Sequence, residues 1–139
     1  MSKAKEIMHQ GAECVAASET LETAARMMRD NHLGALPICG EDDRLKGMLT
    51  DRDIVLKVVA EGKDPNTCRA GDLAEGKPVT IGADDSLEEL VRTMGRHQVK
   101  RLPVIDGHRL VGIVSETDVA GTAPEELVVD LVKGVYAQS

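Results

Sequence analysis

The chain repeats itself. Leu36-Pro37-Ile38 returns as Leu102-Pro103-Val104, an offset of 66 residues (103 − 37). The segment ahead of it returns at the same offset. Leu21, Ala24, Ala25 and Met28 stand at i, i+3, i+4 and i+7, and so do Leu87, Leu90, Val91 and Met94. Each set is one apolar stripe of an amphipathic helix. Beyond the Leu-Pro pair, Arg44-Leu45-Lys46-Gly47-Met48-Leu49-Thr50 aligns with Arg109-Leu110-Val111-Gly112-Ile113-Val114-Ser115. The offset there is 65 (109 − 44), one residue being lost in the turn between the two apolar runs. That turn is Gly40-Glu41-Asp42-Asp43 in one copy and Asp106-Gly107-His108 in the other, both hairpin compositions. Asp53-Ile54-Val55 and Asp118-Val119-Ala120 follow.

Each copy therefore reads strand, helix, strand, turn, strand, helix. In the first, the expected elements are Glu13 to Ala16, Thr20 to His32, Ala35 to Cys39, Arg44 to Thr50 and Asp51 to Ala60. In the second they are Pro78 to Ile81, Ser86 to His97, Arg101 to Ile105, Arg109 to Ser115 and Glu116 to Gly121. The expected fold class is α/β (α+β) with βαββα repeats. The first copy is placed at residues 7–62, a connection carrying Asp64-Pro65-Asn66, Gly71 and Gly76 at 63–77, and the second copy at 78–122. Residues 123–139 form a C-terminal helix and tail, with Leu127, Val128, Leu131 and Val135 at helical spacing behind Pro124. A copy of roughly 60 residues is marginal alone. The two are expected to cover one another as a pseudo-two-fold pair.

Composition narrows the function. Lys and Arg total 17 against 24 Asp and Glu, a formal net charge of −7, and the pI is near 5.1. There is no Trp, no Phe and one Tyr, Tyr136. A chain this acidic and this poor in stacking side chains is a poor match for nucleic acid, and no nucleic-acid partner is expected. No run of 18 apolar residues is present and the N-terminus has no apolar leader, so neither a membrane span nor a secretory signal is expected and a cytoplasmic location is the default. No nucleophile stands beside a His partner, no P-loop or Gly-x-Gly-x-x-Gly occurs, and stand-alone catalysis is not expected. His9, His32, His97 and His108 show no i, i+4 pair, and Cys14, Cys39 and Cys68 show no Cys-x-x-Cys, so no metal site is expected.

The Leu-Pro-apolar strand, the hairpin, the Gly-apolar-apolar-[Thr/Ser]-x-x-Asp ending and the duplication resemble a tandem CBS (cystathionine-β-synthase) domain pair. Gly34 to Gly40, Gly47 to Val55 and Asp64-Pro65-Asn66-Thr67 make the chain look like the small stand-alone CBS-pair proteins of actinobacteria. The resemblance implies a regulatory module, active in a stress response, that binds an adenosine-containing ligand (AMP, ADP, ATP or S-adenosylmethionine) between its repeats. It needs no cofactor beyond that ligand. The Asp of [Thr/Ser]-x-x-Asp would hold the ribose, which carries Thr50 and Asp53 to one site and Ser115 and Asp118 to the other. Adenine would lie against Cys14, Val15 and Leu36 in the first copy. In the second it would lie against Val79, Thr80, Ile81 and Leu102. Lys100 and Arg101 would meet phosphate. A homodimer and a client protein are further implications.

The same residues admit plainer readings. Thr50-x-x-Asp53 and Ser115-x-x-Asp118 also fit a capping box with Asp in the third position. Lys100 and Arg101 also fit a solvated strand end. On those readings the chain is a ligand-free dimeric interaction module, redox- or metal-responsive through its Cys and His residues. In a CBS copy the first strand runs near the Leu-Pro strand, so Cys14 and Cys39 are candidates for a disulfide if their Cα atoms come within about 7 Å. Otherwise they are two small buried thiols.

Overall fold

The computed structural model describes residues 2–11, 13–74 and 77–137. In chain order the elements are α1 (Ala4–Ile7), β1 (His9–Gln10), β2 (Val15–Ala16), α2 (Leu21–Asn31), β3 (Ala35–Cys39), β4 (Leu45–Thr50) and α3 (Asp51–Ile54). Then come β5 (Ile81–Gly82), α4 (Leu87–His97), β6 (Arg101–Asp106), β7 (Arg109–Ser115), α5 (Glu116–Thr122) and α6 (Glu125–Val135). α3 runs on as a π-helical stretch, Val55–Val59, and a 3-10 turn spans Ala70–Leu73. The architecture is α+β, with two separate sheets. Among the described residues, no helix is long and apolar enough to cross a membrane.

One compact unit is Glu13–Pro78. Its sheet has the order β2-β3-β4, with β2 parallel and β4 antiparallel to β3. Leu36 faces Leu49, Pro37 faces Met48 and Ile38 faces Gly47, and the register shifts between Ile38 and Cys39. α2 starts where Thr20 Oγ1 accepts the Thr23 N–H at 3.2 Å. It stops at His32, whose φ of 55° is left-handed. Its apolar stripe buries Leu21, Ala24 and Met28 against Leu36, Ile38 and Leu49 of the sheet. Cys14 and Cys39 are joined as a disulfide with Cα atoms 5.7 Å apart, linking the residue before β2 to the end of β3.

The other unit holds the residues before Ala12 together with those from Val79 onward. Its sheet has the order β1-β7-β6-β5. The design repeats residue by residue. Ser86 Oγ accepts the Glu89 N–H at 3.2 Å to start α4, and Gln98 ends it at φ 53°. Leu102 faces Val114, Pro103 faces Ile113, and the register shifts between Val104 and Ile105. Those positions lie 66 on from Ile38 and Cys39 (104 − 38). The short first strand corrects the sequence reading of Pro78 to Ile81. It is Ile81–Gly82, and Ile81 pairs with Val104 as Val15 pairs with Ile38. Pairing follows the repeat, and in this register Ile81 is buried in the core.

Two features have no counterpart in the sequence reading. Residues 4–10 pack with the second copy. Ala4 is fully buried there, and β1 adds to the edge of β7 with His9 opposite Ile113 and Gln10 opposite Gly112. Ala70 is the matching buried alanine in the first copy (70 − 4 = 66), and an isolated Thr20–Arg69 bridge matches Lys3–Ser86. The second feature is the docking of α6. A Cβ on Gly134 would stand 2.8 Å from Gly95 Cα, so α4 and α6 meet backbone to backbone. Leu131 and Val135 complete that core. At Gly95's place in α2 (95 − 66) the residue is Arg29, which denies such an approach to a helix.

Candidate functional site

β4 delivers Thr50 to the start of α3. Thr50 Oγ1 accepts the Asp53 N–H at 3.0 Å, and Asp53 Oδ2 accepts the Thr50 N–H at 3.0 Å. This reciprocal pair satisfies two backbone donors that the helix start would otherwise leave open. Only one carboxylate oxygen is used in it. Asp53 Oδ1 faces the Lys57 ammonium at 3.5 Å, and the side chain keeps 26% of its exposure. A carboxylate oxygen so placed can still accept hydroxyl groups.

β7 delivers Ser115 to α5 in the same way. Ser115 Oγ accepts the Asp118 N–H at 3.3 Å, and Asp118 Oδ2 accepts the Ser115 N–H at 2.9 Å. Three things differ. The Ser115 hydroxyl also lies 3.0 Å from Asp118 Oδ2 and 2.8 Å from Thr117 Oγ1. Thr117 stands where the first copy has Arg52. And Asp118 Oδ1 is met at 3.0 Å by His9 Nε2 from β1. Both capping boxes are thus formed, and capping leaves the outer carboxylate oxygen to the surroundings of each copy.

Val15, Leu36, Ile81 and Leu102 are sealed into the two cores, packed against the helices of their own copies. Val79 is half-buried and Thr80 exposed, so these two remain reachable from solvent. Arg101 is exposed at the start of β6, directly opposite Ser115. Lys100 is exposed and lies 5.0 Å from the centroid of the Tyr136 ring, a cation–π distance. Tyr136 also donates its phenol to Glu116, 3.0 Å from Oε1 and 3.1 Å from Oε2. The first copy has Gly34 and Ala35 in place of Lys100 and Arg101, so the basic pair belongs to the second copy alone. His9 and Tyr136 were not singled out by motif reasoning. The signal for Tyr136 was its solitude as an aromatic side chain at the end of an amphipathic helix. His9 gave none.

Among the described residues, no group of three or more His, Cys, Asp or Glu side chains is placed to hold a metal ion. Cys68 is a free, half-buried thiol.

A duplicated strand-helix-hairpin-helix plan, each copy ending in a Thr or Ser and Asp cap, defines a tandem regulatory module. Residues 4–60 and 70–124 match the CBS domain, and the chain belongs to the CBS-domain family. It is 53% identical over 135 residues to Hypoxic response protein 1 of Mycobacterium tuberculosis, a match covering 97% of this chain and 94% of that one. A crystal structure of Hypoxic Response Protein I with two coordinated zinc ions superposes with a TM-score of 0.82 at 54% identity. It covers 88% of this chain and 100% of that one. A CBS domain protein from Pyrobaculum aerophilum, complexed with AMP, has a TM-score of 0.80 at 21% identity, with coverage of 95% and 99%. That last likeness is one of fold.

Proposed function

We propose that this chain is a non-catalytic regulatory module that binds an adenosine-containing ligand, AMP, ADP, ATP or S-adenosylmethionine, with Thr50 and Asp53 at the ribose. The carrying observation is the outer oxygen of Asp53. Its partner oxygen is pinned by the Thr50 N–H, which fixes the carboxylate, while Oδ1 stays outside the cap, 3.5 Å from the Lys57 ammonium. A fixed carboxylate can accept both hydroxyls of a ribose, a fork that a single alcohol does not match. The AMP bound by the Pyrobaculum relative supports the ligand class. A bound ligand regulates only by favouring one of two states of the module, which a client protein then reads.

A second reading is a ligand-free dimeric interaction module. It is favoured by the exposed apolar side chains Val55, Leu56 and Val59 on the π-helical stretch and Val129 and Val132 on α6. The Cys14–Cys39 disulfide adds a redox element to it. Equilibrium dialysis against radiolabelled AMP, ATP and S-adenosylmethionine separates the readings. Retention of one of these by the wild type and its loss in Asp53→Ala supports the sensor. Equal absence of retention in both favours the interaction module.

A further inference from the structure

The two capping carboxylates are chemically alike and unequally available. Asp53 has one oxygen in its cap and the other 3.5 Å from the Lys57 ammonium, four residues on along the same helix, and keeps 26% of its side-chain exposure. Asp118 has one oxygen in its cap, the other on His9, and keeps 14%. His9 does not reach Asp118 by chance of a mobile tail. β1 is hydrogen-bonded into the sheet beside β7, with His9 opposite Ile113 and Gln10 opposite Gly112. Gly112 makes room for it, since a Cβ there would stand 2.5 Å from the His9 carbonyl oxygen and 2.6 Å from Met8 Sδ. Upstream, Ala4 is buried and Lys5 pairs with Asp84 at 2.9 Å, which anchors the segment at its other end.

The other end of the chain acts on the same copy. Tyr136, just past α6, lies over Lys100 and binds Glu116, and Gln98 Nε2 donates to the Ala137 carbonyl at 2.7 Å. Lys100 is thereby engaged by the protein's own ring.

We propose that His9 is an internal occupant of the second ribose-type carboxylate. It holds Asp118 Oδ1, so that the chain takes one adenosine ligand, at Thr50 and Asp53, and the second position opens when His9 is removed. This rests on the adenosine-ligand reading above and adds to it which of the two copies is used and what sets the choice. His9 is a specificity-determining residue for site number, not a ligand contact. Its side chain is 79% exposed, so its replacement leaves the core intact.

Isothermal titration calorimetry with AMP reads the stoichiometry directly. The wild type takes one AMP per chain, and His9→Ala takes two. His9→Gln, which keeps an N–H donor at about the same reach, stays at one. The double variant His9→Ala, Asp118→Ala returns to one, which places the gained AMP at Asp118. Two AMP per chain in the wild type, or one in His9→Ala, overturns the proposal while leaving the adenosine-ligand reading standing. No uptake of AMP, nor of ADP, ATP or S-adenosylmethionine titrated in the same way, by the wild type or by His9→Ala overturns that reading and this proposal with it.

Discussion

One oxygen of Asp53 accepts the Thr50 N–H, and the other lies outside the cap, 3.5 Å from the Lys57 ammonium. A single side chain can thus cap a helix and bind a ligand without conflict, and the motif alone could not say which job it does. Substitution by Ala removes both, and the cap is worth about 1 kcal/mol, so loss of binding has to be read beside a stability control. Charge placement gives a cleaner test at this scale. Asp84 accepts a hydrogen bond from the Lys5 ammonium, with Lys3 nearby, and these hold its carboxyl below the usual carboxylate range. The same pair raises Lys5 above its usual range. A lowered carboxyl contributes stability above its unfolded pKa and loses it as pH falls through the folded value. A raised lysine contributes below its unfolded pKa and loses it as pH rises through the folded value. The pair therefore supports α1 across the neutral range only. The melting temperature of Asp84→Asn is expected to lie slightly below wild type at pH 7. The gap should close both below the carboxylate range and above the lysine range. A gap that persists at pH 2 contradicts the assignment.

Elements differ in how plainly they were written. α2 and α4 were legible because a stripe at i, i+3, i+4 and i+7 sits between a Thr or Ser cap and a left-handed stop, twice. β3 with β4 and β6 with β7 were legible because a turn composition separates two apolar runs. β1 was not, since two exposed residues carry no alternation, and its pairing depends on the bare surface of Gly112 rather than on its own side chains. The same holds for the site. Thr50, Asp53, Ser115 and Asp118 stood in a recognisable pattern, whereas His9 reaches Asp118 only through the sheet. The Cys14–Cys39 bond, a candidate from the sequence, ties β2 to β3 across a separation of 25 residues. Closing a loop of that size stabilises by roughly 3 kcal/mol. Cys39→Ser should melt lower than wild type in the absence of reductant and equal to it in excess reductant, a comparison that calorimetry makes directly. An unchanged melting point without reductant would mean the bond contributes nothing. The contact between α4 and α6 leaves no space for a side chain. Gly134→Val is expected to cost about 1–3 kcal/mol, as overpacking does, and chemical denaturation measures it. A neutral result would show that α6 docks in another way.

At the scale of the molecule, duplication supplied two of everything and then spent the copies differently. The caps, strand registers and buried alanines of α1 and the 3-10 turn repeat at an offset of 66 residues up to the hairpin turn and 65 beyond it. The outer carboxylate oxygens do not share one environment. The basic pair Lys100 and Arg101, the phenol of Tyr136 and the imidazole of His9 all gather on the second copy. The first copy keeps the plainer Thr50 and Asp53. On the proposed function, this copy receives an adenosine ligand, and that makes the chain a sensor. Thermal denaturation with AMP, ADP, ATP and S-adenosylmethionine tests it most directly, each added at millimolar concentration to wild type and to Asp53→Ala. A ligand at 100 times its dissociation constant stabilises by about 2.7 kcal/mol. For a chain of this length that is roughly 9 °C, from the usual unfolding entropy per residue. A rise of that order is expected for at least one of the four in the wild type and none in Asp53→Ala. No rise with any of them, or an equal rise in both proteins, would contradict it.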